Sequence, residues 1–210
     1  MLSSKGKDIN KAVLLLQDGK VIAIPTETVY GLACNALDEK AVADLFRIKE
    51  RSMIKALPIQ VSSVSEGLKY VKNIPEPLHI LMKRFWPGPL TVLLVKNEVV
   101  PDIVTAGLRN IAIRIPDHPI ALELLKACPF PLAVTSANIS GNDSLTDADS
   151  VLAKLNGKIP YVLDGGKSKI GNESTIVGIE NNKLILFRIG AISKEQLENI
   201  LPEFEFVSSF

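Results

Sequence analysis

The 210-residue chain is poor in the side chains that build covalent or metal centres: it holds two cysteines, two histidines and one tryptophan. Cys34 and Cys128 lie far apart and fit no metal or redox spacing. They are expected to be reduced, mostly buried thiols in a cytosolic protein. His79 and His118 are unclustered too, so no ligand set for a built-in zinc site is in view. No Gly-x-Ser-x-Gly elbow and no Cys/His pairing argues for covalent catalysis. No apolar run reaches the ~18 residues a membrane span needs. The segment Met1 to Asp8 lacks the apolar core of a signal peptide, and the expected location is the cytoplasm. The sequons Asn138-Ile-Ser140, Asn142-Asp-Ser144 and Asn172-Glu-Ser174 then carry no glycosylation meaning. A formal net charge of +1 advertises no general affinity for nucleic acid, although it leaves room for a local basic patch.

Apolar residues at 47% and charged residues at 22% mark a globular chain, long enough for one well-buried domain or at most two small ones. Asp8 is placed to cap a helix carrying Ile9, Val13, Leu14 and Leu16, ended by Asp18-Gly19. Val21 to Ile24 reads as a buried strand. Asp38 precedes a second helix with Val42, Leu45, Phe46 and Ile48 on its apolar face. Leu57 to Val61 reads as a strand that Pro58 places near an edge or at its start. Ser65 and Pro77 open two further helices, Phe85 to Pro89 is a rigid connector, and Leu90 to Val95 is strongly β. Ile111 to Ile115 alternates, with Arg114 set against the apolar side. A helix from about His118 to Ala127 and a buried strand from Pro131 to Thr135 follow. Asp147 caps a helix from Ala148 to Leu155. Tyr161 to Leu163, Thr175 to Ile179 and Leu184 to Arg188 read as strands, and Ser193 caps a last helix ending near Leu201-Pro202. The irregular alternation predicts one α/β domain on a mixed sheet.

Chemistry concentrates in a few polar bursts. Pro25-Thr26-Glu27-Thr28-Val29-Tyr30-Gly31 follows the first buried strand. A structural turn needs Gly, Asn or Pro rather than this crowd of hydroxyls, a carboxylate and a phenol, and open α/β sheets place ligands at strand ends. Gly31 is expected to release the backbone. Thr135 to Gly141 repeats the pattern, and an ordinary capped turn explains it equally well; two bursts on one sheet favour a shared binding edge. Gly171 to Thr175 is a third. Lys49, Arg51 and Lys55 follow the second helix. Dipole complementation explains them taken singly, whereas a planar guanidinium flanked by two ammonium groups also suits a triphosphate. Arg114 and Arg188 sit within or at the end of apolar strands, where an arginine needs an anionic partner from the protein or a ligand. Asp164 to Ser168 is not a P-loop: Tyr161 stands where that motif needs glycine, and no helix follows.

Together the segments PTETVYGL, Lys49-x-Arg51, WPGPLT, IAIRIP, TSANISG, DGG and EST, in this order, resemble the YrdC/TsaC-type threonylcarbamoyl-AMP synthase family over nearly the whole chain. The resemblance implies a YrdC-like twisted open mixed sheet flanked by helices, with a large concave groove. It implies one catalytic domain over residues 1–210, with a core from about 6 to 202, in the single-domain form. The implied reaction joins L-threonine, bicarbonate or CO2 and ATP into threonylcarbamoyl-AMP and pyrophosphate, for the t6A modification of tRNA. Mg2+ would accompany ATP without a built-in metal site, and the tRNA-threonylcarbamoyl transferase machinery would act downstream.

By matching position, Lys49, Arg51, Ser136 and Asn138 form the family's polar tetrad. Arg51, Lys55, Asn110, Asn138, Thr146 and Arg188 fall at ATP contacts. Thr28, Gln60, Arg114, Ser136 and Ser174 fall at threonine contacts, with Arg114 expected to hold the carboxylate in a fork. Thr26, Glu27 and Tyr30 shape the pocket. Ser52 and Ala56 replace two prolines usual in the family, and Gln60 replaces a common histidine. Two alternatives stay open: a double-stranded RNA or tRNA-binding module, and a carbamoyl-transfer enzyme with another acceptor.

Overall fold

A computed structural model of the chain describes residues 2–139, 141–181 and 183–209. Ser140, the last hydroxyl of the Thr135 to Gly141 burst, lies outside them. β1 (Ser4–Gly6) leads into α1 (Ile9–Gln17), whose N-cap Asp8 accepts from the Lys11 amide. Ala12 and Leu16 are the buried residues of α1, while Leu14 is 65% exposed and so does not belong to its apolar face. β2 (Ile22–Ile24) and β3 (Gly31–Asn35) flank the first polar turn as an antiparallel pair. Asp38 caps α2 (Glu39–Lys49), which buries Val42, Leu45, Phe46 and Ile48 as its pattern demands.

β4 (Ile59–Gln60) is shorter than the sequence suggests, and it is central rather than an edge. Pro58 is tolerated there because it precedes the ladder and supplies only its carbonyl, to the Val134 amide. α3 (Val64–Gly67) is capped by Ser63, not Ser65. α4 (Glu76–Phe85) carries Pro77 in its first turn. β5 (Leu90–Val95), α5 (Asp102–Thr105), β6 (Asn110–Arg114), α6 (Pro119–Ala127) and β7 (Leu132–Ser136) follow. The chain continues through α7 (Ala148–Leu155), β8 (Tyr161–Leu163), β9 (Thr175–Glu180) and β10 (Lys183–Arg188). A Ser193–Gln196 capping box starts α8 (Lys194–Glu198), which stops before Leu201, and β11 (Phe206–Ser208) is the last strand.

These strands form one mixed sheet in the order β1-β8-β2-β3-β7-β4-β6-β5-β9-β10-β11. The larger apolar cluster, fed by α2, α4, α5, α7 and α8, covers one face. On the other face α1 and α6 pack only over β8, β2, β3 and β7, through Leu16, Leu124, Ile22, Ile24, Val134 and Leu163. The rest of that face, from β7 across to β10, floors a cavity. Gly31 serves this layout by close packing: an added Cβ would stand 2.5 Å from Val134 Cγ1. It therefore admits the neighbouring strand rather than releasing a turn. Both cysteines are buried and free, and burial pushes the Cys128 thiol up to about 11 and raises Cys34 as well. None of the helices among the described residues is long and apolar enough to cross a membrane.

Candidate active site

The cavity holds about 300 Å³ and rests on a sheet face, not in a crevice at strand ends. Strand alternation explains its floor. Thr91 and Leu93 of β5, Asn110, Ala112 and Arg114 of β6, and Ile176 of β9 point to the same side. The first polar turn forms one wall with Thr26, Thr28 and Tyr30. That turn is held from behind by the segment 164–171: Ile170 and Gly171 amides donate to Glu27 O and Thr28 O, and Ser168 Oγ donates to Thr26 O at 2.8 Å. Tyr30 donates its phenol proton to Gly166 O at 2.7 Å and accepts from the Gly165 amide at 3.1 Å. Burial pushes that phenol up to about 12, so it remains a donor.

Lys49 does not line the cavity. It ends α2 at 2% exposure and reaches under the Ser136–Asn138 turn. Its Nζ lies 2.6 Å from Ser136 O, 3.2 Å from Ser136 Oγ, 3.1 Å from Asn138 O and 2.6 Å from Asn138 Oδ1. Burial, and then the neighbouring Arg51, pull this ammonium down to about 8. Ser136 does line the cavity and donates its proton to Asn138 Oδ1 at 2.7 Å. With that proton spent and Lys49 donating to it, Ser136 Oγ offers a ligand only a lone pair. Asn138 is buried and completes the turn through Asn142 O.

Arg51 also lines the cavity, and its Nε and Nη2 donate to Lys55 O at 3.3 Å and Ala56 O at 3.1 Å. Its guanidinium closes the loop that lacks the two prolines. Lys55 contributes this carbonyl; its side chain is exposed and outside the cavity lining. Thr146 is half-buried and also outside the lining, its carbonyl taken by the Ser168 amide. Arg188 pairs with Glu173 and donates Nε to Ser174 O at 3.0 Å and Nη2 to Ser174 Oγ at 3.1 Å. Ser174 Oγ also shares a 2.8 Å bond with Thr91 Oγ1. Sequence reasoning missed Thr91 and Glu173 as site groups, although both stand inside the quoted motifs.

Arg114 is the most buried cation of the lining, and its charge is disfavoured by burial and supported by Glu27. Nε donates to Gly88 O at 3.1 Å and Nη2 to Thr28 Oγ1 at 2.9 Å. Nε and Nη2 are therefore engaged within the protein, and Nη1 has no hydrogen-bond partner among the described residues. Gln60 lines the cavity with Oε1 buried and unpartnered among the described residues. Glu27 stands behind the lining rather than in it.

Three guanidiniums, a free amide and hydroxyl lone pairs on an open sheet face define an α/β protein with a cavity suited to an anionic ligand. Comparison with known proteins narrows this class. The Sua5/yciO/yrdC family model, described as telomere recombination, matches residues 14–190. The chain belongs to this family. It is 44% identical over 195 residues to the threonylcarbamoyl-AMP synthase of Pyrococcus abyssi, covering 93% of this chain and 57% of that one. It is 41% identical over 201 residues to the Bacillus subtilis enzyme of the same name, covering 95% and 58%. The chain thus spans somewhat over half the length of these relatives. Sua5 of P. abyssi complexed with L-threonine matches with a TM-score of 0.91 at 41% identity, over 98% of this chain and 62% of that one.

Proposed function

We propose that this chain condenses L-threonine, bicarbonate or CO2 and ATP into threonylcarbamoyl-AMP and pyrophosphate, in the cytoplasm, with residues 6–202 as one catalytic unit. The product feeds the transferases that build t6A on tRNA. The observation that carries this reading is the division of the cavity. Thr28, Arg114 and Ser174 are buried in its lining, with Arg114 donating to Thr28, a set suited to an amino acid. Arg51, Asn110 and Arg188 are half-buried in the same lining, with Arg188 bonded to Ser174 at the junction, a set suited to phosphates. The names of the relatives agree with it.

In this reading Arg114 Nη1 holds the threonine carboxylate. The neutral amine attacks the carbon of CO2 and passes one proton to solvent water, forming N-carboxythreonine. A carbamate oxygen then attacks the α-phosphorus of ATP, and the bond to the β-phosphate oxygen breaks to release pyrophosphate. Arg51 and Arg188 stabilise the charge on the phosphates by preorganised position. Ser136 and Asn138 shape the reacting end, while Lys49 holds their turn. Mg2+ arrives as the companion of ATP. Glu173 is the one carboxylate among the described lining residues, and it is engaged by Arg188 and Ser144. The side chains present therefore do not form a resident magnesium site.

The test is threonine-dependent pyrophosphate release by the purified chain with ATP and bicarbonate. Equal release without threonine would refute the assignment.

A further inference from the structure

Glu27 belongs to the turn that walls the cavity, yet its side chain is turned away at 4% exposure, behind Arg114 at 7%. Its Oε1 lies 2.8 Å from Arg114 Nη2, and neither carboxylate oxygen receives an aligned hydrogen bond from a described group. A buried carboxylate whose one close partner is the Arg114 guanidinium is costly, so its place beside the cavity calls for a role.

The hydroxyl network around it points to one. Thr26 Oγ1 lies 2.6 Å from Val29 O, which can only accept. The single Thr26 proton is spent there. The Thr26 and Thr28 hydroxyls are 2.8 Å apart, so Thr28 is the donor of that pair. Arg114 Nη2 in turn donates to Thr28 Oγ1 at 2.9 Å. The protons thus run in one direction, from Arg114 through Thr28 and Thr26 to Val29 O. Thr28 faces the cavity with no proton left and offers a lone pair. With Nε donating to Gly88 O, Nη1 is the end of the guanidinium left for a ligand. An acceptor for N–H stands beside donors for a carboxylate, which is the pattern of an α-amino acid.

We infer that Glu27 is a positioning residue for amino-acid recognition: its charge keeps Nη2 of Arg114 on Thr28, fixing Thr28 as the acceptor for the substrate amino group and leaving Nη1 for the carboxylate. This rests on the amino-acid reading of the cavity given above. It adds a residue that never touches substrate, and it states which substrate group Thr28 meets. The nucleotide contacts at Arg51, Asn110 and Arg188 stand outside the network.

The experiment measures KM for threonine and for ATP separately, in pyrophosphate release, for wild type, Glu27→Gln and Glu27→Asp. Glu27→Gln keeps the shape and removes the charge. It should raise the threonine KM about tenfold or more, equivalent to the ~1.4 kcal/mol of one charged contact, with the ATP KM within about twofold. Glu27→Asp should recover part of the loss. Thr26→Val breaks the relay at its far end without touching the buried pair, and should give the same threonine-selective defect if Glu27→Gln does not fold. An unchanged threonine KM in a folded variant, or equal rises in both constants, overturns the proposal. Wild-type protein that neither binds threonine nor turns it over would remove the amino-acid reading and the proposal with it. A threonine-active wild type with an insensitive Glu27→Gln removes the proposal alone.

Discussion

Lys49 Nζ lies 2.6 Å from Asn138 Oδ1, across 89 residues of sequence, and meets no carboxylate among the described residues. Bonded to Ser136 and Asn138 through four oxygens, this buried ammonium is placed to hold their turn. Lys49→Met should therefore reduce kcat/KM on the order of 10²-fold, the scale for losing an oriented donor at a reacting centre, through misplacement of Ser136. A variant within threefold of wild type would show that the turn holds without its pin.

The same ammonium makes a pH prediction of two opposite signs. It is held down to about 8 in the fold, against ~10.4 in an unfolded chain. Between those values the unfolded chain keeps a proton that the folded chain has released, so this group makes stability rise with pH through that window. Activity should move the other way, falling above about pH 8 as Lys49 loses a donor to Ser136 and Asn138. Paired pH profiles of thermal midpoint and of threonine-dependent turnover check this. Lys49→Arg, charged throughout, should lose the alkaline limb.

Arg51→Ala should cost on the order of 10²-fold or more in turnover, since one guanidinium both lines the cavity, where the proposed reaction puts the phosphates, and closes its own loop. Lys55→Ala should change the ATP KM less than about threefold, because its exposed side chain stands off the cavity and only its carbonyl meets Arg51. A large Lys55 effect would mean that the loop closes over the nucleotide with Lys55 turned inward.

The contrast between those two cations shows what the sequence makes legible. Helix periodicity and caps located α2, so the neighbourhood of Lys49, Arg51 and Lys55 was readable, but not which of them face inward. Lys49 still belongs to the helix and follows its buried stripe, whereas Arg51 and Lys55 come after Glu50 turns the chain at φ 55°. Alternation along β5, β6 and β9 predicts the floor once one lining residue is known, yet Thr91 was hidden within an apolar run. β3 gave little signal because Gly31, Ala33, Cys34 and Asn35 have weak strand preference. Pairing with β2 and β7 imposes the strand. The Thr26–Thr28–Arg114 chain was unreadable because its direction depends on distances between groups far apart in sequence.

Gly190 gives a prediction that joins stability to the site. A Cβ there would stand 2.2 Å from Glu173 O and 2.7 Å from Ser174 O, both backbone atoms that no rotamer change relieves. Gly190→Ala must therefore shift the segment that presents Glu173 and Ser174. The expected cost is about 1–3 kcal/mol, a fall of roughly 2–12 °C in Tm for a chain of this size, together with a raised threonine KM from the displaced Ser174. Gly107→Ala supplies the control. Its φ of +76° strains an alanine, but nothing lies within 4 Å. It should lower Tm by a few degrees through backbone strain of about 1 kcal/mol, with the threonine KM unchanged. Gly190→Ala with a wild-type threonine KM would show that Ser174 is not positioned through this contact.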